Sequence, residues 1–212
     1  MNLYLRLLLN FKRLLGLKLS INDKYIFKSL KVNDIVIDCG ANVGDVTELM
    51  AKNDATVYAF EPNPHAYKVL NKRFETKNNV ICGMKAVGIK DHKAELFFHE
   101  NSEDDDLYWS TGSSLLKCKP NVNSNRSVKT DVIDLANFIR NLGKDIKLIK
   151  IDIEGAECEL LDYMIDVGII KNIEIILVEI HDHKITELIE PTSRLKNKIK
   201  NKNLNNIYLN WR

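Results

Sequence analysis

The sequence predicts an α/β protein: a doubly wound, mostly parallel seven-stranded sheet with helices on both faces. Three observations predict it. From residue 34 onward, short apolar runs alternate with helical patterns, which is how strands read when helices cover both of their faces. The first run ends at Asp38, and Gly40 and Gly44 then flank a turn into a helix. The second ends on Glu61, an acid at the carboxyl end of the second strand of such a sheet, where ligands bind.

The elements follow in order. Strands are expected at residues 34–38 and 55–60, each followed by a helix, at 42–52 and 64–76. Pro64 opens the second helix, where its missing N–H costs nothing. Residues 80–87 read as a third strand and 94–99 as an antiparallel one. Residues 100–127 are polar, holding SEDDD, TGSS and NVNSNRS, and read as an insertion or lid. Order resumes with a strand at 128–132, a helix at 135–141, a strand at 146–151, a helix at 157–167 and a strand at 173–180. A basic helix at 193–202 and a strand at 206–211 close the chain. Residues 1–30 stand apart as an amphipathic helix and lead-in, because Leu3, Tyr4, Leu7, Leu8, Phe11, Leu14 and Leu15 recur at helical spacing. Residues 31–212 then form one domain.

Charge narrows the function classes. The net charge is only +2, but residues 1–31 and 191–212 are basic and the segment between them is strongly acidic. That distribution excludes a nucleic-acid binder with basic residues spread over one face. The N-terminal segment is broken by Arg6, Lys12, Arg13 and Lys18, too often for a spanning helix. It docks on its own domain or, in a second reading, residues 1–19 contact a membrane surface or a partner. The cysteines Cys39, Cys82, Cys118 and Cys158 are widely spaced and read as reduced thiols, so a cytoplasmic location is expected, peripheral at a membrane if residues 1–19 bind one.

The run VIDCGANVGDVT carries the first functional signal. Glycine is needed where the backbone bends sharply and a ligand approaches, and the helix that follows begins with free N–H groups. Glu61, in YAFEPNPHA, is placed to accept both hydroxyls of a ribose. The competing reading has Glu61 capping the helix that begins at Pro64. Together the two signals specify an adenosyl ligand.

With these residues in view, the chain resembles the FkbM-type family of S-adenosylmethionine-dependent methyltransferases, which have the class I, Rossmann-like fold. The resemblance rests on VIDCGANVGDVT, AFEPNPHAYKVL, KAVG, SSLL, IKIDIEGAECELL and LVEIHDHKI, from about residue 30 to the end. It implies S-adenosylmethionine as cofactor. Asp38, Gly40 and Asn42 would surround its methionine portion, with Gly44 in the same turn. Glu61 would hold the ribose, Pro62 and Asn63 would flank the adenine, and Ala86 would lie at the adenine edge. Ser113 and Ser114 match the family's SSLL segment and would face the acceptor. Cys39 reads as packing, not as a nucleophile.

Methyl transfer from a sulfonium needs aligned reactants and one base. Two acidic strand ends converge on the site: Asp152 and Glu154 after one strand, Glu179, His181 and Asp182 after the next. In the favoured reading His181 or Asp152 is the base, while Glu154 and Glu179 orient the substrate. In a second, Asp152, Glu154, Glu179 and His181 hold a divalent metal. In a third, Glu154 and Glu157 serve the start of a helix and His181 makes an ordinary loop bond. The SEDDD run reads as a solvated rim. The expected activity is O-methylation of a small-molecule hydroxyl, with a sugar or glycan intermediate as acceptor. The alternatives are an N-methyltransferase or metal-assisted enzyme using the same pocket, and a cofactor-binding scaffold without turnover.

Overall fold

The computed structural model describes residues 7–9, 11–12, 17–19 and 25–211. The main sheet contains β1 (Ile35–Cys39), β2 (Thr56–Phe60), β3 (Val80–Gly83), β7 (Ile146–Ile151), β8 (Ile173–Val178) and β9 (Ile207–Tyr208), in the order β3-β2-β1-β7-β8-β9. Every pairing in it is parallel. Five helices connect the strands: α1 (Asp45–Ala51), α2 (Pro64–Phe74), α3 (Leu135–Leu142), α4 (Glu157–Asp166) and α5 (Ile189–Asn201).

Successive strand residues alternate between two cores. On β1, Ile35, Ile37 and Cys39 pack with Leu135, Leu160, Leu161 and Met164 of α3 and α4. Val36 points the other way and packs with Met50, Leu70 and Phe74 of α1 and α2. All five β1 residues are buried, which is why the strand reads as a near-continuous apolar run interrupted only by Asp38.

The seven-strand count is corrected. Among the described residues the main sheet has six strands, and β4 (Ala86–Gly88), β5 (His92–His99) and β6 (Val122–Asp134) form a second sheet in the order β4-β6-β5. The single strand expected over 80–87 is therefore two. Gly83 pairs with Phe60 in the main sheet, Lys85 N turns back to Gly83 O at 2.9 Å, and Ala86 pairs with Val132 in the other sheet. The mostly apolar run 80–87, broken only by Lys85, conceals that change of partner. The insertion is also more ordered than a polar loop: β6 begins at Val122, and Tyr108–Gly112 form a 3₁₀ turn. Within SEDDD, Ser102 and Asp106 are braces, not rim, since Arg126 donates to both.

The amphipathic helix expected over residues 1–19 falls largely outside the described residues. Of its described part, 7–9 and 11–12 are helical. Leu9 is buried in the same core as Phe27 and Trp211, while Leu7 and Phe11 are exposed. No helix among the described residues is long and apolar enough to cross a membrane.

Candidate active site

A cleft partly open to solvent lies where the carboxyl ends of β1, β2 and β7 meet the insertion. Its lining joins apolar side chains, Phe60, Val87, Leu96 and Leu115 among them, to the carboxylates of Glu61, Asp152 and Glu154. Of the residues named from the sequence, Gly40, Asn42, Pro62, Ala86, Ser113 and Ser114 also line it. Asp38, Gly44, Asn63, Glu179 and His181 stand outside the lining.

The glycine turn is built differently from its first reading. Gly40 has φ +77°, and a Cβ there would lie 1.8 Å from the carbonyl oxygen of Asp152. Gly44 has φ +94°, and its Cβ would meet the Phe74 ring at 2.5 Å. Both glycines therefore make room for protein, Gly40 for the end of β7 and Gly44 for α2.

Beneath the turn lies Lys150, a buried lysine whose role the sequence reading missed. Its Nζ donates to the Gly40 carbonyl at 2.6 Å and stands 3.4 Å from Asp38 Oδ1 and 3.3 Å from Asp152 Oδ2. Burial opposes its charge, but Asp152 and Asp38 outweigh that and hold its pKa above the ordinary lysine value. Asp38 is fully buried and accepts the Thr47 hydroxyl at 2.7 Å, so it supports the turn from below. A signal was available: a lysine inside the apolar run IKLIKI needs buried acids as partners. Burial also pushes the Cys39 thiol well up, which agrees with a packing role.

Glu61 accepts the backbone N–H groups of Asn42 and Asn63, each at 2.8 Å. It does not cap α2; Asn63 does, through its side-chain oxygen. Burial pushes the Glu61 carboxyl up to about 7 against the pull of those two N–H bonds.

The insertion is stitched to three strand-end loops. Asn42 Nδ2 donates to Ser110 Oγ, and Asn63 Nδ2 to Ser113 Oγ, each at 2.9 Å. Ser114 Oγ donates to the Glu154 carbonyl at 2.7 Å. Ser113 and Ser114 thus face the cleft with hydroxyls already engaged in bracing. Lys119, buried within the insertion, donates to the Gly112 carbonyl at 2.7 Å and to Glu154 Oε2 at 2.6 Å. Glu154 itself sits at φ +57°, a conformation these bonds help to hold. Nothing in the local sequence marks Lys119, since its charged partner, Glu154, comes from a distant loop. Replacing Lys119 with methionine is expected to cost about 2–4 kcal/mol, toward the lower end because Glu154 is partly exposed. Hydrogen exchange should then quicken across residues 110–119 while β1 stays protected, and unchanged exchange there would contradict the clamp.

His181 is buried behind the cleft. Its Nδ1 pairs with Glu157 Oε1 at 2.9 Å, and that oxygen also accepts the N–H groups of Ile153 and Gly155. Its Nε2 faces Glu154 Oε2 at 3.4 Å, Asp152 Oδ1 at 3.8 Å and Glu179 Oε1 at 3.9 Å. Burial works against protonation of His181, yet Glu157, Glu154 and Asp152 outweigh it and raise the pKa. Burial, then the nearby Asp152, raises that of Glu179. His181 thus does not line the cleft; the carboxylates that do are Glu61, Asp152 and Glu154. The four residues expected around a metal gather near Nε2, but Lys119 already engages Glu154. Among the described residues, the group whose ligand atoms lie within 4.8 Å of one another is Asp152, Glu157 and His181.

The model of the methyltransferase FkbM domain matches residues 38–203, a span holding the glycine turn, Glu61 and both acidic strand ends. The chain belongs to the FkbM methyltransferase family. Family membership implies S-adenosylmethionine as methyl donor. This FkbM-family chain is similar to Methyltransferase 1 of Beauveria bassiana (strain ARSEF 2860), with 26% identity over 145 residues, 61% of this chain and 57% of that protein. It is also similar to Methyltransferase sdnD of Sordaria araneosa, with 29% identity over 163 residues, 65% of this chain and 62% of that one. The matched region is thus under two thirds of either relative's length. Among solved structures, an rRNA methylase from Streptococcus thermophilus aligns over 84% of this chain and 76% of its own, at 13% identity and a TM-score of 0.46. Trm5b from Pyrococcus abyssi aligns over 84% and 40%, at 16% identity and a TM-score of 0.39.

Proposed function

We propose that the protein is an S-adenosylmethionine-dependent O-methyltransferase that acts on a hydroxyl of a small polar acceptor, a sugar or glycan intermediate. The observation that carries this reading is a cleft at the strand ends that joins apolar walls to Glu61 and to the cleft-facing carboxylates Asp152 and Glu154. Glu61, oriented by two backbone N–H groups, would take the ribose hydroxyls, and Phe60, Pro62, Ala86 and Val87 would enclose the adenine. Transfer is a single displacement: the acceptor oxygen forms a bond to the methyl carbon as the carbon–sulfur bond breaks. The hydroxyl proton passes to Asp152 or Glu154, and S-adenosylhomocysteine leaves. A polar insertion supports a polar acceptor over a flat aromatic one.

The test is calorimetric titration with S-adenosylmethionine, followed by mass spectrometry of sugars and glycan intermediates for a gain of one methyl group. Glu61→Ala should weaken cofactor binding by about a hundredfold, the loss of two hydrogen bonds to a charged group. Unchanged affinity would remove Glu61 from the ribose site. The dependence on pH has a definite sign. Because the folded carboxyl is raised to about 7, its contribution to stability is full below the ordinary glutamate value and is lost as pH rises through about 7. Ribose hydroxyls favour the ionised form, so cofactor affinity should fall by up to about tenfold per unit as pH drops below 7 and level off above it. A flat profile between pH 5.5 and 8 would contradict the assignment.

A further inference from the structure

Residues 1–31 hold seven lysines and arginines against one acid, and residues 191–212 hold six and no acid. Folding brings part of each segment to one edge of the main sheet. Among the described residues β9 is the edge strand, and the N-terminal segment pairs with its continuation from outside. Leu19 N donates to the Asn210 carbonyl at 2.7 Å, and Leu19 forms a parallel bridge with Trp211. Asn210 Nδ2 donates to the Leu17 carbonyl. On the other side of β9, Ile199 of α5 and Leu204 pack against the core that holds Ile207.

This edge carries exposed cations and exposed apolar side chains together. A groove along α5 and β9 has an apolar floor of Ile199, Leu204 and Leu209, and Lys196 and Lys200 line it. Lys196 stands 3.8 Å from Asp182, while Lys18, Lys200 and Lys202 are exposed and make no ion pair among the described residues. Leu7, Phe11 and Leu17 are 60%, 55% and 47% exposed. Leu7 and Phe11 lie four residues apart in helical residues and so share a face, while Leu9 is buried in the core. Leu17 N is held on the Lys12 carbonyl at 2.9 Å, which ties the exposed leucine to that helical segment.

Large apolar side chains set among lysines match a surface that is anionic outside and apolar beneath. A nucleic acid would use the lysines and leave Leu7, Phe11 and Leu17 in water. A second copy of the chain, placed symmetrically on this edge, would set lysine against lysine. We propose that the β9 edge docks on an anionic lipid bilayer, with Leu7, Phe11 and Leu17 entering the headgroup layer and Lys18, Lys196, Lys200 and Lys202 facing the lipid phosphates. Both readings of the N-terminal segment then hold at once: Leu9 and Leu19 dock on the domain, and their neighbours reach the lipid. Because the main sheet is parallel throughout, residues 209–211 leave β9 at the same end as the cleft, two strand spacings, about 10 Å, from β7. One consequence rests on the methyltransferase reading: a sugar acceptor carried on a lipid would meet the cleft from the bilayer.

The experiment floats the full chain on a density gradient with vesicles of equal parts phosphatidylcholine and phosphatidylglycerol, and with vesicles of phosphatidylcholine alone. Flotation with the anionic vesicles, reversed by salt, is expected. A lysine at an anionic surface contributes about fivefold to binding, so Lys196→Gln with Lys200→Gln should weaken it about twentyfold. The same loss of charge on α2, Lys68→Gln with Lys72→Gln, should leave it unchanged, and Phe11→Ser should weaken it about tenfold. All of these residues are exposed, so the variants are expected to fold, and circular dichroism checks that they do. No flotation, equal flotation with both vesicles, or equal losses from the two lysine pairs would overturn the docking edge. Binding to RNA without binding to vesicles would overturn it in favour of a nucleic acid, and self-association abolished by Phe11→Ser without vesicle binding in favour of a second copy. No methyl donor or acceptor is present, so flotation is read independently of the methyltransferase reading.

Discussion

Gly40→Ala should be among the most damaging single substitutions in the protein, costing about 2–5 kcal/mol. Two effects add. An alanine held at φ +77° costs about 1–2 kcal/mol by itself. The added Cβ would also sit 1.8 Å from the Asp152 carbonyl oxygen, a backbone atom that cannot swing aside, so β1 and β7 must separate at their tips, at a cost typical of overpacking, about 1–3 kcal/mol. The separation also threatens the bond from Asp152 N to the Cys39 carbonyl, 3.1 Å. Gly168→Ala isolates the first effect, since Gly168 has φ +72° with open space around its missing Cβ. Denaturant titration of both variants should show Gly40→Ala losing clearly more stability than Gly168→Ala, with cofactor binding lost only in the former. Equal losses would mean that the close approach of Asp152 is unimportant.

How far the sequence could be read depends on the range of the interactions involved. The limits of 146–151 and the start of α2 at Pro64 were legible because burial on both faces and helix-start chemistry are written into neighbouring residues. The place of Glu61 on the cleft was legible for the same reason: it ends an apolar strand. The approach of the Asp152 carbonyl to Gly40 was not legible, because a glycine that admits a ligand and one that admits a carbonyl from another strand look alike along the chain. The break between β3 and β4 was hard to see, since the residues of both strands are apolar or small and Lys85 alone separates them in character. Lys119 and Glu157 act through loops 35 and 24 residues away, so their parts emerge only when the insertion and β8 are in place. His181 was correctly grouped with the strand-end acids, but its depth behind them was not readable from spacing.

Lys150→Met should cost about 3–5 kcal/mol, a large share of the total stability of a domain this size. The substitution keeps the apolar stem but removes the one charge between Asp38 and Asp152. It leaves the buried Asp38 carboxylate and the partly exposed Asp152 close together and strips the Gly40 carbonyl of its 2.6 Å donor. Arginine should not substitute: the Nζ site is enclosed by the turn and two acids, and a planar guanidinium is too wide for contacts made by a compact ammonium. The loss belongs chiefly to uncompensated charge, so Asp38→Asn combined with Lys150→Met should recover part of it, because asparagine can still accept the Thr47 hydroxyl at 2.7 Å without carrying a charge. A double-variant cycle by denaturant titration reads this directly: a combined cost smaller than the sum of the two single costs is expected, and strict additivity would mean that Asp38 and Lys150 do not act as a pair. Because Lys150 ties the glycine turn to the strand that carries Asp152, the same lysine that makes the fold possible also sets the distance across the floor of the cleft.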